Sequence, residues 1–107
     1  GTSTKYNDWY ETMALKKLFD GQAIPPISST KGATGHCLGA AGAIEAVISI
    51  LAMQKSILPP TINYTTPDDD CDLDYIPNTP REKEITTFMS NSFGFGGTNG
   101  VVIMRKV

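Results

Sequence analysis

The stretch HCLGAAGAIEAVISILAMQ, residues 36–54, is the most apolar part of the chain, and its only formally charged residue is Glu45. A helix that is apolar nearly all round belongs in a protein interior or in a membrane. The stretch approaches the length of a membrane span. A charge near its middle, its many small residues and the lack of aromatic residues at both ends favour a buried core helix instead.

A second helix is predicted upstream, over residues 9–19. Asp8 and Glu11 form a capping-box pattern, in which an acceptor at the N-cap is followed three residues later by a carboxylate. Gly21 ends the run. Apolar residues recur behind the cap at helical spacing, and they are Tyr10, Met13, Ala14, Leu18 and Phe19. Residues 24–29 contain two prolines and predict a short extended segment, since proline cannot lie inside a helix.

The end of the chain predicts a β-hairpin, because β-rich runs at residues 85–89 and 101–104 flank the glycine-rich loop Asn91–Gly100. Residues 57–84 form a long connection with five of the seven prolines, and connections of this length are functional or wrap another surface. Its acidic run at residues 68–74 superficially resembles a calcium loop. A leucine where glycine is needed for the sharp turn, and a threonine in place of the bidentate glutamate, favour a solvated turn.

The composition is that of an ordinary globular domain and excludes several classes of function. The chain has 107 residues, of which 40% are hydrophobic and 19% charged, and a net charge of −2, so a basic face for nucleic acid is not expected. Two cysteines and one histidine cannot complete a four-ligand zinc site, and we expect no metal. The first residues contain no initiator methionine, signal core or presequence, so we expect the chain to start inside a larger protein.

Three segments carry residues suited to chemistry. The hydroxyl run from Gly1 to Thr4 can bind a polar ligand, or form a plain turn. His36 is predicted to be buried at the start of the apolar helix, where the positive end of the helix dipole disfavours an imidazolium. A neutral imidazole can donate one N–H to a developing enolate or oxyanion. The alternative is a core histidine that is bonded to the backbone.

Lys31 and Glu45 are expected to pair, because an unpaired charge beside apolar sequence is costly. The loop Asn91–Gly100 lacks the ending of a P-loop and the spacing of a dinucleotide fingerprint. It can still offer backbone N–H groups to an oxyanion, or form a tight hairpin. Cys37 should not face its neighbour His36 on a helix, and carboxylates disfavour the thiolate of Cys71, so neither cysteine is a convincing nucleophile.

Several motifs in this order resemble the C-terminal part of β-ketoacyl-[acyl carrier protein] synthases, of the elongating, synthase II-like type. The resemblance covers nearly the whole chain and includes residues 1–4, 28–43, 59–63, 71–75 and 91–99. It implies an α/β fold, the C-terminal portion of the layered α-β-α-β-α thiolase-like fold, with a buried apolar helix and a terminal β-hairpin. Residues 1–107 then form one incomplete segment of that fold.

The resemblance also implies the roles of single residues in a Cys-His-His active site. His36 matches the second catalytic histidine, Lys31 matches the family's lysine and Glu45 matches the glutamate that supports it. Thr2 and Thr4 match the threonines that bind the phosphopantetheine arm. Phe95 matches the gating phenylalanine, whose backbone N–H joins the oxyanion hole.

The reaction implied is the decarboxylating Claisen condensation of an acyl thioester with malonyl-[acyl carrier protein] in fatty-acid elongation. Phosphopantetheine arrives on the acyl carrier protein, so no separate cofactor is implied, and a homodimer is expected. The catalytic cysteine of the family lies far upstream and its first histidine directly precedes the position of Gly1, so the isolated chain is expected to be inactive. The alternatives are a ketosynthase domain of a modular fatty-acid or polyketide synthase and a catalytically inert segment.

Overall fold

The computed structural model describes residues 1–107, which form two compact units. Unit 1 comprises Gly1–Gly35 and Pro59–Pro80, and unit 2 comprises His36–Leu58 and Arg81–Val107. Each unit is therefore built from two separate stretches of the chain.

Unit 1 contains the helices α1 (Asn7–Leu18) and α2 (Lys31–Thr34). The helix predicted over residues 9–19 is confirmed, but it begins two residues earlier than expected, and the capping box at Asp8 is wrong. The hydroxyl of Thr4 accepts a hydrogen bond from the N–H of Asn7 (3.3 Å), the first helical residue. The side chain of Asn7 in turn accepts a hydrogen bond from a different residue, the N–H of Thr2 (3.1 Å). Because Thr4 meets the first N–H of the helix, Asp8 lies inside its first turn.

The buried face of α1 differs from the predicted apolar stripe. Thr12, at 1% exposure, and Leu15 are buried, whereas Tyr10, Met13 and Leu18 are exposed. The reason is a set of polar contacts with the acidic connection. Thr12 Oγ1 and Tyr75 Oη lie 2.6 Å apart, and one turn later Lys16 Nζ lies 2.5 Å from Asp72 Oδ1. Positions 12, 15 and 16 share a face of a helix, so these contacts turn that face inward.

The long connection contributes residues 59–80 to unit 1. Backbone hydrogen bonds fold it, from the N–H of Thr61 to the carbonyl of Ile76 and from the N–H of Asn78 to the carbonyl of Thr61, both 2.9 Å. Ile76 is fully buried between them. The acidic residues 68–70 are exposed, and Asp68 accepts the N–H of Asp70 (2.9 Å). The prediction of a solvated turn is confirmed.

Unit 2 contains one long helix and two small antiparallel sheets. A 3₁₀ turn at Leu38–Ala40 leads into α3 (Ala41–Lys55), and β1 (Ile57–Leu58) pairs with β2 (Arg81–Glu82). The predicted terminal hairpin is confirmed as β3 (Thr87–Phe93) and β4 (Asn99–Arg105), with Thr87 opposite Arg105 and Phe93 opposite Asn99. The strands extend into the predicted loop, so that only residues 94–98 connect them.

The predicted apolar helix exists but begins at Ala41 rather than at His36, and the prediction that it is buried is wrong for these 107 residues. α3 packs against β3, yet only Met53 is buried along its length, while Val47 and Leu51 are exposed. The physical reason is that one small hairpin covers only one side of the helix, so the remainder forms an apolar surface. By length and composition alone, the run Leu38–Lys55 could also cross a membrane.

The contact between Thr12 and Tyr75 makes the first testable prediction. Replacing Tyr75 by Phe removes the phenol that bonds the buried Thr12 hydroxyl, and we expect the free energy of unfolding to fall by about 1–2 kcal/mol. Urea unfolding measures the loss. The control is Tyr64→Phe, because Tyr64 bonds to the side chain of Asn78 through its backbone N–H and carbonyl (3.0 and 2.6 Å). Equal losses in the two variants would show that the phenol of Tyr75 has no special role.

A pH dependence follows from the same phenol. Burial raises the pKa of Tyr75 above its ordinary value of 10.0, and the hydrogen bond to Thr12 opposes that shift in part. The folded state therefore holds this proton more tightly than the unfolded state, and the stabilisation is present below pH 10.0 and lost as the pH rises through the folded pKa. We expect the difference in free energy of unfolding between the wild type and Tyr75→Phe to shrink as the pH rises above 10.0. A difference that grows with pH would contradict the assignment.

Candidate functional site

His36 does not lie at the start of α3, and it is exposed rather than buried. Both expectations from the sequence are wrong, because a 3₁₀ turn at Leu38–Ala40 separates the histidine from the first residue of α3, Ala41. His36 therefore lies outside the first turn of α3, and the argument from the helix dipole does not apply to it. A local hydrogen bond orients it instead, since the backbone N–H of Leu38 donates to His36 Nδ1 (3.1 Å).

This hydrogen bond fixes which ring nitrogen of His36 carries the proton. A nitrogen that accepts a hydrogen bond has no proton, so the proton of the neutral ring lies on Nε2. Leu38 reaches its position in the left-handed region, at φ +48°. That conformation is strained for leucine by about 1–3 kcal/mol. A strained residue therefore lies two positions after the histidine, and the Nε2–H of that histidine is available to donate to another group.

Phe95 lies on the turn between β3 and β4, and its side chain is 94% exposed. The N–H of Gly94 donates to the carbonyl of Thr98 (2.7 Å), which closes the turn. A Cβ at Gly94 would lie 2.9 Å from that carbonyl oxygen, so only glycine fits there. Gly96 and Gly97 have φ values of +79° and +84°, which residues with side chains rarely adopt. The turn is therefore closed and presents Phe95 outward.

The packing of α3 on β3 brings the segments of His36 and Phe95 to one end of unit 2. Gly42 is the second residue of α3, and a Cβ placed on it would lie 3.2 Å from Ser92 Oγ near the end of β3. His36 precedes that end of the helix, and Phe95 follows that end of the strand. The start of α3 therefore adjoins the strand that leads into the Phe95 turn.

Glu45 lies on α3, one turn beyond Gly42, and is half-buried. Its predicted partner, Lys31, belongs to unit 1 and begins the short helix α2. The pairing of Lys31 with Glu45 stays a prediction.

The two threonines of the hydroxyl run face each other in unit 1. Thr2 Oγ1 and Thr4 Oγ1 are 3.0 Å apart, and the intervening Ser3 adopts a left-handed conformation at φ +57°. Ser29 Oγ donates to the carbonyl of Gly1 (3.1 Å), which ties the run to the segment that precedes Lys31. Two adjacent hydroxyls can both donate to and accept from a polar ligand.

Neither cysteine forms a disulfide, and both are half-buried. Cys37 lies just before the 3₁₀ turn, where its carbonyl accepts the N–H of Ala40 (3.0 Å), so it is not on a helix as the sequence argument assumed.

Sequence reasoning also missed Leu38 and Gly42. The sequence gives no signal for the first, because a leucine rarely adopts a left-handed backbone, whereas the glycine in an apolar helix could have indicated a close contact.

Comparison with known proteins shows which proteins this chain is similar to. Residues 1–65 match the family model for the C-terminal domain of β-ketoacyl synthase. The 3-oxoacyl-[acyl-carrier-protein] synthase 2 of Coxiella burnetii is 56% identical over 108 residues, covering 100% of this chain and 26% of that protein. Nodulation protein E of Rhizobium meliloti is 49% identical over 108 residues, covering 100% of this chain and 27% of that protein.

A solved structure is similar over the same extent. It is the AntDE:AntF complex, a type II polyketide synthase acyl carrier protein with its ketosynthase bound to the hexaketide. The TM-score is 0.96 at 48% identity, and the match covers 100% of this chain and 26% of that chain. This chain thus spans about a quarter of the length of its relatives. The predicted thiolase-like α/β fold is confirmed, and with the family model matched over residues 1–65 the chain belongs to the β-ketoacyl synthase family.

Proposed function

We propose that the chain is the C-terminal part of an elongating β-ketoacyl-[acyl carrier protein] synthase, which condenses an acyl thioester with malonyl-[acyl carrier protein]. The observation that carries the proposal is the hydrogen bond from the Leu38 N–H to His36 Nδ1, which leaves a single N–H donor on Nε2. That donor belongs to the same end of unit 2 as the Phe95 turn.

The chemistry of the condensation needs such a donor. When the malonyl group loses carbon dioxide, the electron pair of the broken carbon–carbon bond moves into an enolate, and negative charge develops on the thioester oxygen. A positioned N–H stabilises that charge and needs no proton transfer to do so. A neutral histidine with its proton on Nε2 fits this role, because it can donate but carries no charge to neutralise the substrate carboxylate early.

The remaining site residues are proposed in supporting roles. The paired hydroxyls of Thr2 and Thr4 bind the amides of the phosphopantetheine arm, and their 3.0 Å contact supports this by holding both side chains in place. Phe95 gates the site and offers its backbone N–H to the oxyanion formed when the cysteine is acylated. Lys31 and Glu45 form a charge pair that supports the site.

The partner proposed is an acyl carrier protein, which brings the phosphopantetheine, so that no separate cofactor is needed. Support comes from the similar ketosynthase AntDE, whose structure is a complex with its carrier protein. A homodimer is proposed for the whole enzyme. Because neither half-buried cysteine has the position of the family's nucleophile, the 107 residues alone are proposed to be inactive.

A second candidate is a polyketide ketosynthase, which performs the same condensation on a different growing chain. The 48% identity to AntDE favours it, but the identity to the Coxiella burnetii synthase is higher, at 56%. Fatty-acid elongation is therefore the first proposal.

The ring state of His36 can be tested by ¹⁵N NMR, and the spectrum is simple because the chain has one histidine. We expect the neutral ring to carry its proton on Nε2 and none on Nδ1. Leu38→Gly is the matched control. It keeps the N–H donor and adopts a positive φ without strain, so it should retain the same tautomer. A proton on Nδ1 in the wild type would contradict the proposal.

The condensing activity can be tested by grafting residues 1–107 in place of the aligned segment of the Coxiella burnetii synthase. We expect the graft to condense acyl and malonyl carriers. His36→Ala in the graft removes one oxyanion donor, so malonyl decarboxylation should fall by roughly 10²–10³-fold, while acylation of the cysteine continues.

Cys37→Ala is the control in the graft, because it changes the neighbouring side chain and keeps the ring. It should decarboxylate malonyl carrier at the rate of the unmodified graft. An inactive graft, or normal decarboxylation by His36→Ala, would overturn the proposed function.

A further inference from the structure

We infer that Gly42 and Ser92 act together as a spacer that sets the position of the His36 segment relative to the Phe95 turn. Gly42 is thus a positioning residue for the condensation, and this inference rests on the proposed function. Neither residue touches the substrate in this scheme. Their effect on the reaction passes through the helix and the strand to which they belong.

The geometry of the contact favours a residue without a side chain at position 42, because any Cβ there would force Ser92 or the helix to shift. A Cβ there would lie 3.2 Å from Ser92 Oγ, which is closer than an ordinary van der Waals contact. Ser92, on the strand, is also small, and it is paired across the hairpin with Gly100. By contrast, a Cβ on Gly39, in the 3₁₀ turn just before the helix, would meet nothing within 4 Å. Of these two neighbouring glycines, only Gly42 makes a close contact.

Glycine inside a helix needs a local reason, because it loses more backbone freedom on folding than alanine does. Nothing in the backbone of α3 requires it, since Gly42 is not among the residues with positive φ. The close approach to Ser92 supplies the reason. The structure accepts a weaker helix former in order to seat the start of α3 close to β3.

The position of this contact links it to the reaction. Gly42 lies shortly after the His36 segment, and Ser92 lies shortly before the Phe95 turn. The strand is held by its ladder to β4, and the turn is closed by the bond from Gly94 to Thr98 (2.7 Å). Because the ladder and the closed turn hold the strand side of the contact, a displacement at Gly42 falls on the start of α3. A wider spacing at Gly42 should therefore move the Nε2 donor relative to the Phe95 N–H.

The experiment uses the full-length graft and four variants of it. Misplacing a catalytic group by about 1 Å costs on the order of 100-fold, and a shift of a few tenths of an ångström should cost on the order of tenfold. We expect Gly42→Ala to lower kcat for malonyl decarboxylation on the order of tenfold. KM for the malonyl carrier should stay unchanged. Gly39→Ala, in open space, should keep the rate of the parent graft.

Rescue distinguishes positioning from a general loss of folding. Ser92→Ala removes the hydroxyl that the new methyl group meets, so the double variant Gly42→Ala/Ser92→Ala should regain the decarboxylation rate of Ser92→Ala alone. Thermal unfolding is measured in parallel. Rescue of Tm without rescue of kcat would make the contact merely structural and would overturn the inference.

The outcomes also separate this inference from the proposed function. An active graft whose Gly42→Ala variant keeps the full decarboxylation rate overturns the spacer alone. A parent graft without condensing activity overturns the proposed function, and the spacer with it.

Discussion

The packing of α3 on β3 is the contact on which unit 2 depends. Without this contact, α3 would be an isolated apolar helix in water and β3 and β4 an isolated hairpin. Neither is stable alone in water. Together they bury one side of the helix and fix where its first turn lies along the strand. The same contact therefore provides stability and places the two segments that carry His36 and Phe95.

Much apolar surface is left exposed when only these 107 residues are considered. Val101, Val102 and Ile103 are consecutive in β4 and point to both faces of the ribbon, yet all three are exposed. A continuous apolar run of this kind is typical of strands buried on both faces. The relatives are nearly four times as long, and the match covers 26% of the Coxiella burnetii protein. The exposed apolar run of β4 therefore has the pattern of a strand that other elements cover on both faces.

The sequence predicted the elements that depend on local pattern. The alternation of β-rich runs with a glycine-rich loop predicted the hairpin. Apolar residues at helical spacing predicted α1, and a nearly continuous apolar run predicted α3. It could not predict the buried face of α1, because the contact that decides it joins Thr12 to Tyr75 across 63 positions of the chain. A polar pair of that separation leaves no periodic signal, and it outweighs the exposed stripe of Tyr10, Met13 and Leu18.

The candidate site shows a different kind of limit. Its residue identities were available from motifs, but the way His36 is held was not. The expected device was a helix dipole, a long-range field acting on the charge of the ring. The structure uses one backbone N–H, delivered by a leucine in a left-handed conformation, which selects a tautomer directly. A dipole can disfavour a charge, but only a directed hydrogen bond can choose between two nitrogens.

Two locally unfavourable choices follow His36 in quick succession. Leu38 adopts a backbone conformation that costs leucine about 1–3 kcal/mol, and Gly42 weakens the helix that it begins. Neither choice improves the folding of the segment itself, and each acts on the position or the proton of the same ring. Natural sequences agree with their folds at most positions and depart from that agreement where function requires it. Because both departures follow one histidine closely, the physical pattern singles out His36 independently of the chain's resemblance to any family.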